Sequence, residues 1–552
     1  MTSLVERVRS ETIGDDVLLP GPFGPRRTVY ADATASGRSL RFIEELIGEQ
    51  VLPTYGNTHT EASASGRRTT ALREEARRTI HRAVNGSEAD AVVFCGSGAT
   101  GAIDKLIRVL ALDRVPRPVV FVGPYEHHSN ELPWRESAAD VVVISEDADG
   151  GVDLEHLEHE LRRHADRPRK IGSFSAASNV TGIVTDVDRV AIALHRHGAL
   201  ACFDYAAGGP YLPIDMNASP RLRDGHLAYK DAVFVSPHKF PGGPGTPGVL
   251  VAKRALLRRP VPTVPGGGTI TFVSPSAQSY HPDPEVREEG GTPAIVESIR
   301  AGLVFALKDA VGTEEILRRE HDLARRALRS WSANPRIDIL GNTQRERLAV
   351  ISLGLRQPPG HLHAGFVVAV LSDLFGIQAR SGCFCAGPYI HRAFPIDADW
   401  SRRMHAEVAK GRLGAKLALT RLSFPYYTSE AAFAYVLEAV HLLADEGWKL
   451  LPRYRFDPDS GLWQHRGARA DAPLGLAAML DVAPPRFGRA PESVLSGQLE
   501  AARRIIRDAA AHPPADALDG PPCGPAFERI RWFPLPSEAL ERLRAEPGRA
   551  AA

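Results

Sequence analysis

Between residues 91 and 250 the chain alternates short apolar runs with amphipathic stretches. Residues 91–95 (AVVFC), 118–122 (PVVFV), 140–145 (DVVVIS), 171–176, 200–204 and 231–236 (DAVFVS) are continuously hydrophobic rather than alternating. That is the pattern of strands covered on both faces. Between them, residues 186–197 have helical spacing, and Gly198 is a natural stop. Strands and helices in alternation predict an α/β domain built on a mostly parallel sheet. In such sheets ligands sit beyond the carboxyl ends of the strands, so the residues after each strand are the first candidates for chemistry.

The texture changes after about residue 300. The spacing predicts a long helix from 301 towards 333, a strand at 348–353, a helix at 364–375, a strand at 417–423 and a helix at 430–445. This pattern predicts a smaller α+β domain. Beyond residue 452 there are proline-rich gaps (483–485, 513–514, 521–522) and one amphipathic helix with Leu495, Leu499, Ala502 and Ile506 on a single face. The expected organisation is an N-terminal segment (1–29) packed on the small domain, a large domain (30–300), a small domain (301–450) and an extension (451–552) to which no role is assigned.

Composition narrows the function. The 552 residues carry 67 Lys+Arg against 66 Asp+Glu, a formal net charge of +1. That excludes a protein working through a large global positive field, and no nucleic-acid partner is expected. Five cysteines in so long a chain do not form a disulfide framework, so a reducing compartment is expected. The first ten residues lack the apolar core of a signal peptide. The apolar stretch 363–375 is too short to span a membrane and contains Asp373. The expected location is the cytosol. Only nine of the 67 basic residues are lysine, so a lysine in an unusual setting stands out.

Four local patterns carry chemistry. In 235–248 (VSPHKFPGGPGTPG) an apolar strand runs into Ser236, His238 and Lys239 and then a glycine- and proline-rich turn. A buried ammonium is costly, and an amine there makes sense if it is used covalently with an aldehyde cofactor; the plain alternative is a loop lysine beside a turn. In 95–101 (CGSGATG) a glycine turn after a strand opens a helix, offering backbone N–H groups and a dipole to a phosphate, with the Thr100 hydroxyl beside them. Many α/β turns look the same. Asp204 ends the strand 200–204, where a carboxylate would hold a pyridine nitrogen protonated; it would otherwise be a helix cap. His127, in 126–130 (EHHSN), could stack on a flat ring or move protons, or be one of twenty ordinary histidines.

Together these are the parts of a pyridoxal 5'-phosphate site, and the chain resembles class V aminotransferase-fold enzymes of the cysteine desulfurase and selenocysteine lyase family. The blocks 30–36 (YADATAS), 95–101, 126–134 (EHHSNELPW), 178–182 (SNVTG), 203–204, 236–239 (SPHK), 266–268 (GGG), 291–293 (GTP) and 380–385 (RSGCFC) occur in family order over roughly residues 28–445. The resemblance implies the fold type I architecture of pyridoxal-phosphate-dependent transferases, with a seven-stranded-type, mostly parallel sheet in the large domain and a smaller α+β domain. It implies that Lys239 binds the aldehyde and shuttles protons, that His127 stacks on the ring, and that Asp204 pairs with the ring nitrogen. Asn179 would lie near the phenolic oxygen and the substrate. Ala99 (through its backbone), Thr100, Ser236 and His238 would hold the phosphate. Thr292 would reach the phosphate of a partner subunit, implying a homodimer. Arg421, assisted by Arg380, would grip the substrate carboxylate. Cys385 falls on the sulfur-accepting cysteine, whose persulfide passes to an acceptor protein as alanine leaves. In a strand-like loop Cys383, two residues away, would point the other way; in a turn it would share the role or close a strained pair, and the plain alternatives are a buried structural cysteine or a metal-binding pair. No metal is expected. The wording GCFC is also similar to molybdenum cofactor sulfurases.

Three departures stand out. Ala207 replaces the glutamine usual three residues after the ring-nitrogen aspartate, Ala33 replaces an asparagine, and the stretch from Cys385 to Arg421 is long. The competing readings are transamination, epimerisation or thiol-free β-elimination on the same cofactor, or a sulfur carrier on a degenerate scaffold.

Overall fold

A computed structural model describes residues 3–394, 396–468, 475–477, 480 and 487–545. The proline-rich gap at 483–485 lies outside the described residues. The chain divides into two compact units: one of residues 1–13, 33–322 and 344–349, the other of 14–32, 323–343 and 350–552.

The first unit is organised by a seven-stranded sheet of β1 (Asp90–Cys95), β2 (Val119–Val122), β3 (Asp140–Val143), β4 (Lys170–Ser175), β5 (Leu200–Asp204), β6 (Ala232–Val235) and β7 (Gly248–Lys253), in spatial order β1-β7-β6-β5-β4-β2-β3. Strands β6, β5, β4, β2 and β3 pair in parallel, and β7 is antiparallel to both its neighbours. Six of the strands lie where the apolar runs predict them. Strand β7, which the pattern did not predict, begins at the last glycine of the turn after Lys239.

Helix α1 is Ala64–Ala83, α2 Gly98–Leu110, α3 Val187–Arg196 and α4 Ile295–Val311. Helix α2 buries Ala102, Ile103, Leu106 and Val109 in the same core cluster as Val93, Val120, Val122, Ile171, Cys202, Phe234 and Leu250. Helix α3 is capped by Asp186, whose side chain accepts the Arg189 N–H at 3.1 Å, and it ends before Gly198 at φ +66°. The expected single helix from 301 is broken. Helix α4 stops at Gly312 (φ +86°) and a new helix, Thr313–Ser332, begins. Where α4 crosses α1, a Cβ on Gly302 would lie 2.5 Å from the Ala76 Cα, so only glycine permits the approach.

Strand β1 is an edge of the sheet, and its outward groups are occupied. Glu285 accepts the Val92 N–H and Glu289 the Phe94 N–H, both at 2.7 Å, and Arg77 donates to the Val92 carbonyl. The Glu289 side chain is largely covered and binds both Arg73 and Arg77. Edge strands need such cover against pairing with other chains.

In the second unit a five-stranded antiparallel sheet has the main order β8-β9-β11-β10, with β8 Ile337–Ile339, β9 Val350–Gln357, β10 Arg380–Gly382 and β11 Leu419–Ser423, and the short strand Gly360–His361 pairs with β9 off this path. Helices α5 (Ala364–Phe375), α6 (Glu430–Glu446) and α7 (Val494–Ala511) accompany it. The opening block joins this unit: Val29–Tyr30 pairs in parallel with Ile377–Gln378, and Ala31 accepts the Ser423 N–H at 2.8 Å. In the same unit, Phe456, Trp463, Trp532 and Phe533 from the chain after 452 form an aromatic cluster around His363. His363 stacks on Trp532, with centroids 5.3 Å apart. Burial pushes its imidazole down to about 4. Helix α7 buries Leu495, Ala502 and Ile506 as its spacing predicts, with Leu499 half-buried. The extension also holds the chain that follows the cysteine pair: Asp459 and Pro458 accept the Leu413 and Gly414 N–H groups at 3.0 and 2.9 Å, and Arg412 donates to the Cys523 carbonyl.

Removing one partner of a buried ion pair strands the other charges, at a cost of about 3–5 kcal/mol. Replacing Glu289 leaves two buried guanidinium groups and an uncovered strand edge. Glu289→Ala is therefore expected to lower unfolding stability by about that amount in urea titration, and an unchanged midpoint would contradict this account of the edge.

Candidate functional site

The site residues form two clusters, one in each unit. In the first unit they gather at the carboxyl ends of the strands. Gly98 has φ +55°, and a Cβ there would meet Ser236 Oγ at 2.8 Å and His238 Cε1 at 2.9 Å. The absence of a side chain is thus what lets the start of α2 approach the turn after β6. The Ala99 N–H donates to Ser236 Oγ at 2.9 Å. Thr100 Oγ1 donates to Ser129 Oγ at 2.7 Å, and Ser129 Oγ lies 3.0 Å from His127 Nδ1. The predicted residues Ala99, Thr100, Ser236, His238 and His127 are therefore linked. Burial, reinforced by the charge of Lys239, pushes the His238 imidazole down to about 4, so it is neutral at physiological pH.

Lys239 ends a single 3-10 turn, 237–239, immediately after β6, its N–H donating to the Ser236 carbonyl at 3.0 Å. It is half-buried. The buried lysines are Lys230, bound to Asp188 and the Ala228 carbonyl, and Lys308, which donates to the Gly209 and Leu212 carbonyls. Burial alone does not single out Lys239; its surroundings do. Asp204 is buried at the end of β5 and accepts the Ala206 N–H at 2.7 Å. Burial raises its carboxyl, and the Ala206 bond and the charge of Lys239 oppose the rise. Ala207, three residues on, is also buried.

A second buried carboxyl, to which no role was assigned from local pattern, lies one strand over. Ser175 is the cross-strand partner of Asp204, and its N–H and hydroxyl both donate to Glu126, at 2.8 and 2.6 Å. Asn130 adds a third bond at 2.6 Å. Burial, with a smaller contribution from Asp204, lifts Glu126 to about 7 against these bonds. Glu126 thereby anchors the segment that carries His127. Asn179 is buried in the loop after β4, where the neighbouring Ser178 Oγ accepts the Val180 and Thr181 N–H groups. Thr292 is exposed, with the Asn57 amide 3.5 Å from its hydroxyl; its bonds do not join it to the cluster.

In the second unit Arg421 and Arg380 are opposite one another on β11 and β10. Asp32 joins them: its Oδ1 lies 2.9 Å from Arg421 Nη2 and its Oδ2 3.4 Å from Arg380 Nε. Arg421 is buried, which lowers its guanidinium from the usual value, and Asp32 opposes the shift. The Arg421 guanidinium lies 5.0 Å from the centroid of the buried Phe384 ring, between the two cysteines. The Ala386 N–H donates to the Cys383 carbonyl at 2.9 Å, and Phe384 and Cys385 have φ +52° and +55°. Two left-handed central residues make this a type I′-like turn. Cys385 is exposed and Cys383 half-buried. Asp32 and Glu126 both lie inside motifs legible in the sequence, but their partners are hundreds or tens of residues away.

A family model described as "Aminotransferase class-V" matches residues 29–432. The chain belongs to this family. Its curated relatives include a probable cysteine desulfurase of Streptomyces coelicolor, 28% identical over 66% of this chain and 84% of that protein, and one of Halalkalibacterium halodurans, 29% identical over 65% and 84%. Similar solved structures include a cysteine desulfurase from Thermococcus onnurineus (TM-score 0.63, 23% identity, 76% of this chain and 95% of that one) and CsdA from Escherichia coli (0.60, 23%, 81% and 99%). These place the fold with the class V enzymes, as the resemblance implies.

The Glu126 carboxyl gives a pH-dependent stability. Its folded value of about 7 exceeds its ordinary 4.5, so the folded state binds the proton more tightly. The stability this provides is complete below 4.5 and lost as pH rises towards 7, about 3 kcal/mol in all. Thermal unfolding of Glu126→Gln beside the parent protein, from pH 4.5 to 8, is expected to show the parent losing stability relative to the variant across that window. Parallel curves would contradict it.

Proposed function

We propose that the chain is a pyridoxal-phosphate-dependent cysteine desulfurase, removing sulfur from L-cysteine or a related sulfur or selenium amino acid and releasing alanine. The observation that carries the reading is the exposed Cys385 thiol, held at a tight turn whose central ring lies under the Arg421 guanidinium. The relatives named as cysteine desulfurases support it.

The residues at the first cluster fit the cofactor's chemistry. The glycine at 98 leaves room against Ser236 and His238, and a helix N-terminus points there, as a phosphate requires. Ala99, Thr100, Ser236 and His238 would hold the phosphate, Asp204 the ring nitrogen, His127 the ring face and Asn179 the phenolic oxygen. Thr292 would serve the partner subunit of a homodimer. When bound, the cofactor supplies an electron sink for bonds at the substrate's α-carbon. Lys239 would hold it and carry the proton at that carbon. Arg421, oriented by Asp32 and helped by Arg380, grips the substrate carboxylate through its planar fork. Cys385, as the thiolate, would attack the substrate sulfur; an S–S bond forms as the sulfur's bond to the β-carbon breaks, the electron pair stays with the carbon skeleton that takes up protons and leaves as alanine, and an acceptor protein would collect the outer sulfur of the resulting persulfide. Among the described residues no helix is long and apolar enough to cross a membrane, and free thiols of this kind suit a reducing compartment such as the cytosol.

The test is incubation of the holoenzyme with L-cysteine and identification of products by mass. Alanine and a persulfide on Cys385 are expected, and Cys385→Ser is expected to cut alanine formation by more than ~100-fold while cofactor absorbance persists. Full activity of that variant, or a keto acid with pyridoxamine phosphate, would overturn the reading.

A further inference from the structure

The cysteine pair offers more than one sulfur-accepting thiol. Cys383 and Cys385 are the first and third residues of the turn closed by the Ala386 N–H to Cys383 carbonyl bond. In an extended strand such residues stand roughly 6.6 Å apart between Cα atoms. A closed turn draws them nearer, well into the roughly 4.4–6.8 Å window in which two cysteines can be bridged. The turn is held in place. Phe384 is buried, its ring covered by the Arg421 guanidinium, which Asp32 fixes in turn. Two successive non-glycine residues in the left-handed region would relax without such support.

We propose that Cys383 discharges the Cys385 persulfide when no acceptor collects its sulfur, closing a Cys383–Cys385 disulfide and so halting the enzyme. The step balances without an outside oxidant. The Cys383 thiolate attacks the inner sulfur of the Cys385 persulfide; the bond between the two Cys sulfurs forms, the inner–outer sulfur bond breaks, and the outer sulfur leaves with the electron pair as hydrosulfide. The sulfane sulfur is reduced and the two thiol sulfurs are oxidised. Reopening needs a thiol or dithiol reductant, which makes turnover depend on the supply of acceptor or reductant. The inference rests on the desulfurase reading and adds a regulatory thiol to it.

The experiment uses the full-length holoenzyme, prereduced, anaerobic and free of acceptor, given one equivalent of L-cysteine and mapped under non-reducing conditions. The wild-type peptide carrying both cysteines is expected to become lighter by two hydrogens, with hydrosulfide released, and dithiothreitol is expected to restore it. In Cys383→Ser and Cys383→Ala the same peptide is expected to keep one extra sulfur on Cys385, surviving on the order of tenfold longer. A wild-type persulfide as long-lived as that of both variants, with no bridged peptide, overturns the proposal while leaving the desulfurase reading intact. No alanine and no added sulfur in any of the proteins defeats the desulfurase reading itself.

Discussion

The Asp204 carboxylate is buried at the end of a central parallel strand, and the first unit is arranged around that fact. A buried carboxylate needs donors or a cation. Here the Ala206 N–H supplies a donor and Lys239, just past the neighbouring strand, supplies the charge. The parallel register that brings β6 beside β5 is therefore also what brings the lysine to the aspartate. On the other side, Ser175 pairs with Asp204 and clamps Glu126, fixing the segment that carries His127. Sheet register, electrostatics and the placement of four side chains are one arrangement.

The second unit applies a similar economy with opposite charge. One carboxylate, Asp32, orients two arginines on adjacent antiparallel strands, and the more buried of them covers Phe384 at the centre of the cysteine turn. The opening block of the sequence joins this unit through Ala31 and the pairing of Val29–Tyr30. The extension braces the same unit by holding the segment after the turn through Leu413 and Gly414.

Much of this was legible in the chain because its signals are local. Apolar runs bounded by turn residues locate six strands of the large sheet, and the ordered blocks single out Lys239, Asp204 and the glycine turn at 95–101, which the structure brings to the carboxyl ends of those strands. Strand β7 escaped because it enters antiparallel between β1 and β6, a choice made by long-range pairing. The break at Gly312 was hidden by apolar spacing that runs through it, and only the left-handed backbone reveals it. Glu126 and Asp32 lay in view without a role, since nothing local says that one meets Ser175 and the other Arg421. The cost of burying an ammonium proved a weaker guide than expected: Lys230 and Lys308 are more buried than Lys239 and are satisfied by ordinary partners.

The central claim is that the ε-amine at position 239 is the covalent attachment point of an aldehyde cofactor. Borohydride reduction of the protein loaded with pyridoxal 5'-phosphate, followed by peptide mapping, tests it most directly. The account predicts a stable adduct on the peptide carrying Lys239, lost in Lys239→Ala. An adduct on another lysine, or none, would contradict it.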